Sequence, residues 1–191
     1  MYIVGLNGSP NKDGNTYYLI NKIFNICNKE GIETEIINIP EVINACKTPF
    51  CTCCTSPCEK VCYKGTPLEE VYGKVTKADA VVIGSPVYFG SMTAQLKAFF
   101  DKTRAVRANR EWIGKPAAAL SVGGSKYGGQ ESTIKAIHDC MLVEGMTIIG
   151  SSSIESGAGH HGVAAHRPAC DDEFANQRLV VMAQRLIDTV K

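Results

Sequence analysis

The opening stretch, MYIVGLNGSPNKDGNT, limits the possible folds more than any other, because an apolar strand runs directly into a glycine-rich polar loop that opens a helix. Tyr2 to Leu6 are almost all apolar, the composition of a central parallel strand covered on both faces. Asn15 and Thr16 are good N-cap residues for the helix that follows. Between them the loop offers backbone N–H groups, the hydroxyls of Ser9 and Thr16, the amides of Asn11 and Asn15, and the cation of Lys12. At a helix N-terminus, where the macrodipole favours an anion, this set suits one terminal phosphate. An ordinary well-capped strand-to-helix turn is the plainer reading. The loop is neither G-x-x-x-x-G-K-[ST] nor G-x-G-x-x-G, which argues against nucleoside triphosphate hydrolysis and a standard dinucleotide site.

Strands and helices then alternate. Leu19, Ile20, Ile23, Phe24 and Cys27 fall at helical spacing, and Gly31 is placed to end that helix. Glu33 to Ile39 has a strand's composition with polar residues that suit a sheet edge, and Pro40 closes it. Thr66-Pro67-Leu68-Glu69 reads as a capping box that restarts regular structure. Ala78 to Gly84 and Ala117 to Val122 are short apolar strands of central character, each leading through a glycine-bearing loop into a helix. Thr147 to Ile149 makes a fifth strand, residues 150–170 show little periodicity, and a last helix runs from about Asp172 to Val190. The alternation predicts an α/β fold, a doubly wound five-stranded parallel sheet in a three-layer sandwich with strand order 2-1-3-4-5. In that order ligands bind beyond the carboxyl ends of the strands, at the switch between strands one and three. Loops 8–15, 46–65, 85–91, 123–130 and 150–170 all fall at that end. The expected organisation is one domain over residues 1–191 with a cysteine-rich loop inserted at 46–65.

Composition removes several classes of function. Twenty basic and nineteen acidic residues give a formal charge of +1 with no basic run, so nothing favours nucleic acid or an anionic membrane surface. The apolar runs are too short to span a bilayer, and the N-terminus lacks the basic region and length of a signal peptide; the expected location is the cytoplasm. Six of the nine cysteines (Cys46, Cys51, Cys53, Cys54, Cys58 and Cys62) crowd into 17 residues. In a reducing compartment this argues for metal or redox chemistry over structural disulfides.

A flat aromatic cofactor with a single phosphate would place the phosphate on loop 8–15 and its ring between loops 85–91 and 123–130; FMN meets that description. Backbone amides of Val87, Tyr88, Phe89 and Gly90 are candidates for the ring, Tyr88 or Phe89 for stacking, and Gly90, Gly123 and Gly124 for close backbone approach. Anchoring against the core is the alternative for the two aromatics, and turn punctuation for the glycines. His160 and His161 are weaker candidates for contact with the flavin edge or a substrate, exposed loop histidines being the default. Cys27, Cys140 and His138 sit at helical positions and read as structural.

The combination GSPNKDGNT, GSPVYFGSMTAQLKAFFDK and GGSKYGGQEST resembles the NADPH-dependent FMN reductase superfamily of flavodoxin-like proteins. Within it the chain is most similar to the iron–sulfur flavoproteins and the tryptophan-repressor-binding-protein-like quinone reductases. The resemblance covers nearly the whole chain. It implies FMN held by Ser9, Asn11, Asn15 and Thr16 at the phosphate and by Pro86, Val87, Tyr88, Phe89 and Gly90 at the ring. Gly123, Gly124, Ser125, Tyr127 and Gly128 would lie at the pyrimidine side. In the quinone reductases a histidine precedes the GGQE motif; here Tyr127 and Gly128 stand at that place, which argues against a quinone-type pocket. Iron–sulfur flavoproteins carry a compact four-cysteine motif just after strand two. The position agrees with this chain and the spacing differs, since Cys51, Cys54, Cys58 and Cys62 offer three close steps, with Cys46 or Cys53 able to replace one. Those four are the expected ligands of a [4Fe-4S] cluster, with tetrahedral zinc as the rival and free or disulfide-bonded thiols as the plain alternative.

The expected activity is FMN-dependent electron transfer from ferredoxin or NAD(P)H to a small acceptor or quinone, in a homodimer or homotetramer. The alternatives are a non-enzymatic flavodoxin-like carrier, or a plain FMN reductase with a structural zinc loop.

Overall fold

Strand β1 (Tyr2–Asn7) has buried side chains on both of its faces, so helices must cover it from both sides. The computed structural model describes residues 1–191. After β1 come helix α1 (Asn15–Lys29), β2 (Glu33–Asn38), α2 (Ile39–Asn44), α3 (Pro67–Lys77), β3 (Ala80–Pro86), α4 (Ala94–Asp101), α5 (Arg104–Ala108) and β4 (Pro116–Gly123). The chain continues through α6 (Gln130–Val143), β5 (Thr147–Ile149), β6 (Ser151–Ser153), β7 (Gly157–His160), β8 (Val163–His166), a 3-10 turn (Ala169–Asp171) and α7 (Glu173–Val190).

The main sheet runs β2-β1-β3-β4-β5 with every pairing parallel, the expected order. Its fifth position is shared: β5 pairs with Pro116 to Ala118 of β4, and β8 pairs with Leu120 to Gly123. Strand alternation sends Ile3, Val82, Ala118 and Leu120 to a core under α1 and α7, and Val4, Val81, Ile83 and Ala119 to a second core under α3, α4 and α6. The second core is aromatic. Trp112 lies parallel to Phe99 at 6.2 Å and donates its indole N–H to Thr76 Oγ1 at 3.1 Å, and Tyr72 donates its hydroxyl to Phe99 O at 2.7 Å. Such ring pairs add about 0.5–1.5 kcal/mol each beyond the area they bury. Strand β2 is the polar edge; its Glu35 accepts from Tyr2 and pairs with Lys74. No helix is long and apolar enough to cross a membrane.

Four local readings are corrected. Pro40 does not merely close β2; it sits in the first turn of α2, where its missing N–H costs nothing. Helix α1 begins at Asn15 with Gly14 as N-cap and no capping side chain, because Asn15 Oδ1 accepts instead from Ala169 N at 2.8 Å. The capping box at Thr66 does not form: Thr66 donates back to Tyr63 O at 2.7 Å, and Glu69 Oε2 reaches one residue past the cap to accept from Gly65 N at 2.8 Å. Residues 150–170 are not irregular, since they hold the antiparallel β6–β7 hairpin and the sheet strand β8.

Glu144, at the end of α6, is buried with Oε1 accepting from Thr103 Oγ1 at 2.6 Å and Oε2 without a partner. Burial raises its pKa, against the opposing effects of the Thr103 hydrogen bond and the Arg107 charge. The folded chain thus holds this proton more tightly than the unfolded chain, so stability falls as pH rises from the ordinary glutamate range through the folded value. Glu144→Gln is expected to raise stability at neutral pH and to leave it unchanged at low pH, where the wild-type side chain is already neutral. Urea unfolding at both pH values measures this difference.

Candidate functional site

Adjacent parallel strands β1, β3 and β4 end at the same rim, so the loops that follow them are neighbours. The structure knits them together. Thr93, the N-cap of α4, donates to Gly8 O at 2.7 Å and accepts from Leu96 N at 3.2 Å, tying the first loop to the second. Ser85 Oγ accepts from Thr93 N at 3.0 Å. Arg167 N donates to Gly123 O at 3.0 Å and brings the chain after β8 to the third loop.

In the first loop the organiser is Asn7, fully buried at the end of β1. Its Oδ1 accepts from Ser9 N at 3.1 Å, and its Nδ2 donates to Asn38 Oδ1 at 2.9 Å and Lys12 O at 3.2 Å. Ser9 Oγ accepts from Asn11 N at 3.1 Å, which leaves its own hydroxyl proton to donate. The N–H groups of Asn15, Thr16 and Tyr17 open a 15-residue helix that no side chain caps. An uncapped helix start beside Lys12, a hydroxyl donor and the amides of Asn11 and Asn15 suits a phosphate. Asn15 contributes only its Nδ2, since its oxygen is held by Ala169.

The second loop is a tight turn in which Tyr88 and Ser91 exchange backbone hydrogen bonds at 2.9 and 3.1 Å. Phe89 and Gly90 occupy its centre at φ 49° and 75°, the left-handed conformation that a two-residue hairpin loop needs. Val87 N is taken by Val122 O and Tyr88 N by Ser91 O, so the amides of Phe89 and Gly90 are the ones left for a ligand. Tyr88 and Phe89 are exposed; neither anchors the loop in the core.

The third loop, residues 124–129, is shaped by Gln130, a buried side chain that the sequence reading passed over. Its Nε2 donates to Ser125 O at 2.6 Å and Ala165 O at 3.2 Å, and its Oε1 accepts from Gly128 N at 2.8 Å. A Cβ at Gly123 would lie 2.6 Å from Gln130 Cδ, so the glycine is what admits this amide beneath the loop. Gly124 faces Arg167, and Tyr127 projects into solvent. Thus Ser9, Asn11, Asn15, Thr16, Val87 to Gly90 and Gly123 to Gly128 gather at one rim. Asn7, Thr93, Gln130 and Arg167 were missed. For Asn7 the available signal was a polar residue closing an apolar strand.

The two loop histidines stand apart from the first two loops. His160 stacks edge-on against Phe174 at 5.5 Å. His161 faces Glu131 at 3.5 Å and lies 6.1 Å from the ring of His138, whose pKa is lowered by burial and then by His161.

All nine cysteines are free thiols. Cys46 is buried and bonds Val42 O, Cys62 packs on the aromatic core, and Cys53 and Cys54 are exposed. The thiols of Cys53, Cys51 and Cys58 lie about the guanidinium of Arg104 and raise its pKa, and Arg104 Nη1 donates to Thr55 O at 3.1 Å. The thiol donors suit an iron–sulfur cluster in kind. No three Cys, His, Asp or Glu side chains stand close enough together in this structure to hold a metal ion.

The NADPH-dependent FMN reductase family model matches residues 1–161. An iron–sulfur flavoprotein from Methanosarcina thermophila is 36% identical over 193 aligned positions, covering 100% of this chain and 96% of that protein. An NAD(P)H dehydrogenase (quinone) from Rhizobium meliloti is 46% identical over 72 positions, 38% of this chain and 34% of its own length. Among solved structures, the apo form of an NADH:FMN oxidoreductase superposes with a TM-score of 0.71 at 17% identity, covering 98% of this chain and 89% of that one; this likeness concerns the fold. With the loops meeting at the rim of a flavodoxin-like sheet and these matches over the same residues, the chain belongs to the NADPH-dependent FMN reductase family and is an FMN-dependent oxidoreductase.

Proposed function

We propose that the whole chain acts as one FMN-binding unit that moves electrons from NAD(P)H or reduced ferredoxin to a small acceptor, and that the segment 46–65 carries an iron–sulfur cluster. The observation that carries the flavin part is the convergence of three loops beside the uncapped start of α1. Ser9, Asn11, Asn15 and Thr16 hold the phosphate, with Lys12 balancing its charge. The amides of Phe89 and Gly90, with Pro86, Val87 and Tyr88, meet the ring, and Gly123, Gly124, Ser125, Tyr127 and Gly128 flank its pyrimidine side. When bound, FMN supplies the exchange between two-electron and one-electron chemistry. The protein's part is to orient the ring and to keep water from its inner edge, with no side-chain nucleophile.

The cluster is supported by the likeness over the whole chain to an iron–sulfur flavoprotein and by the crowding of six cysteines into 17 residues. Cysteines crowded at metal-ligand spacing suit a reducing compartment, hence the cytoplasm, and the exposed Tyr88 and Phe89 suit burial in a homodimer or homotetramer.

Anaerobic purification followed by an absorption spectrum and by iron, acid-labile sulfide and zinc analysis tests both parts. Flavin at about one per chain, together with iron and sulfide, is the expected result. Absence of flavin overturns the FMN reading; zinc without iron assigns the cysteine segment a structural role instead. Turnover of NADH or NADPH with a small acceptor and no added reductase separates an enzyme from a carrier.

A further inference from the structure

Behind the third loop, between β8 and the first turns of α7, lies a cavity of about 970 Å³. That volume falls at the upper end of the range for small-molecule sites. Its walls carry both signs of charge, and what each charged group already holds decides what the cavity can accept.

The carboxylates are mostly engaged. Asp172 caps α7, with Oδ1 accepting from Ala175 N at 3.0 Å and Oδ2 from His166 N at 2.9 Å. Asp171 accepts from the Cys170 thiol at 3.3 Å, and Glu131 faces His161 at 3.5 Å. Only Glu173, exposed at the first position of α7, has no partner. The cations are the reverse. Lys126 makes no hydrogen bond or ion pair. Arg178 has one long bond, Nε to Ser151 Oγ at 3.5 Å, and its Nη2 is enclosed with no partner at all. A guanidinium nitrogen shut away from water without an acceptor is costly, and the Arg178 side chain, held by that one long bond, can turn this nitrogen out to an anion in the cavity it lines. The remaining wall is aromatic: Phe174 is 56% exposed with His160 edge-on to it, and Tyr127 is 92% exposed.

We propose that this cavity binds a planar aromatic anion, with Arg178 taking its carboxylate, sulfonate or phosphate in the paired geometry a guanidinium offers. Lys126 adds charge at the mouth, and Phe174 and Tyr127 flank the ring. Tyr127 and Gln130 belong both to this cavity and to the loop assigned to the flavin. Use of the bound anion as a redox substrate therefore rests on the flavin reading, whereas the binding itself does not.

The test is isothermal titration of naphthalene-2-sulfonate into the protein as purified, with neutral 2-naphthalenemethanol as comparator. The expected result is saturable binding of the sulfonate, at least about tenfold tighter than the alcohol. Arg178→Gln is expected to weaken the sulfonate about tenfold and Lys126→Ala a few-fold, with the alcohol unaffected by either. Lys126 is an exposed residue, so its variant keeps the test decisive if Arg178→Gln does not fold. No saturable binding at millimolar sulfonate, equal affinity in wild type and both variants, or displacement of the probe by added FMN would each overturn the proposal. If the purified chain lacks flavin and the sulfonate still depends on Arg178, the cavity assignment stands and the flavin reading fails.

Discussion

Gln130→Leu is expected to weaken FMN binding by about tenfold to a hundredfold and to lower thermal stability in the same protein. Leucine fits the space, but it leaves Ser125 O, Ala165 O and Gly128 N without the partners that Gln130 gives them. Each buried polar group so stranded costs about 1–3 kcal/mol, and the loop regains solvent contact only by leaving the flavin rim. A second variant separates positioning from mere packing. Gln130→Glu keeps the acceptor that Gly128 uses and turns the donor toward Ser125 and Ala165 into a second acceptor. Protonated, that carboxyl donates again; ionised, it repels two carbonyl oxygens. FMN affinity of Gln130→Glu is therefore expected to recover as pH falls through the carboxyl range and to decline as pH rises, with the wild type flat across the same interval. Flavin fluorescence quenching, read as a dissociation constant at each pH, measures this. A Gln130→Glu protein that binds FMN like wild type at every pH would remove Gln130 from the loop's support.

Gly162→Ala is expected to cost about 3 kcal/mol of folding stability, which lowers Tm by roughly 6–12 °C in a chain of this size. Gly162 is where the chain re-enters the sheet ahead of β8, and a Cβ there would press directly on the backbone oxygen of Ala119 and lie 3.3 Å from Ile134 Cγ2. Neither obstacle is the free end of a flexible side chain. Relief requires β8 to move off β4, taking with it the Gly162 carbonyl that accepts from Ser151 Oγ at 3.1 Å. Thermal unfolding followed by far-ultraviolet circular dichroism gives the answer, and an unchanged Tm would mean the strand is not seated as described.

The parts of this architecture legible in the sequence are those whose apolar pattern matches their burial. Strands β1, β3 and β4 are continuous apolar runs because both their faces are covered, and β2 announces its edge position through Glu33, Thr34 and Glu35. Strand order, switch point and the three rim loops follow from that contrast. Helix α2 was hidden because IPEVIN is too short to show a period and continues a β-branched run. Strands β6, β7 and β8, reading SSS, GAGH and VAAH, carry almost no hydrophobic signal; β6 and β7 are strands because they pair in a hairpin, and β8 because it meets β4, distant in sequence.

The site divides along the same line. Glycines, hydroxyls and small amides marked the loops, whereas the residues that hold the loops in place act over long separations. Gln130 reads locally as a helix start, and its contact with Ala165 appears only in the fold. The cysteine loop follows the same division: spacing offers several sets of four, and the bond from Arg104 Nη1 to Thr55 O that ties α5 to this loop appears only in the fold.

One strand of this sheet is braced in two places by two stretches of chain that arrive separately. Thr147 to Ile149 steady the lower half of β4, and Val163 to His166 steady the half that leads into the third loop. Everything between them, the excursion with its hairpin, His160 and His161, is free of the register of either brace. Length and composition there can change while both braces keep their seats, so a chain built this way can reshape what enters from the α7 side without disturbing the strand and the rim loop it carries.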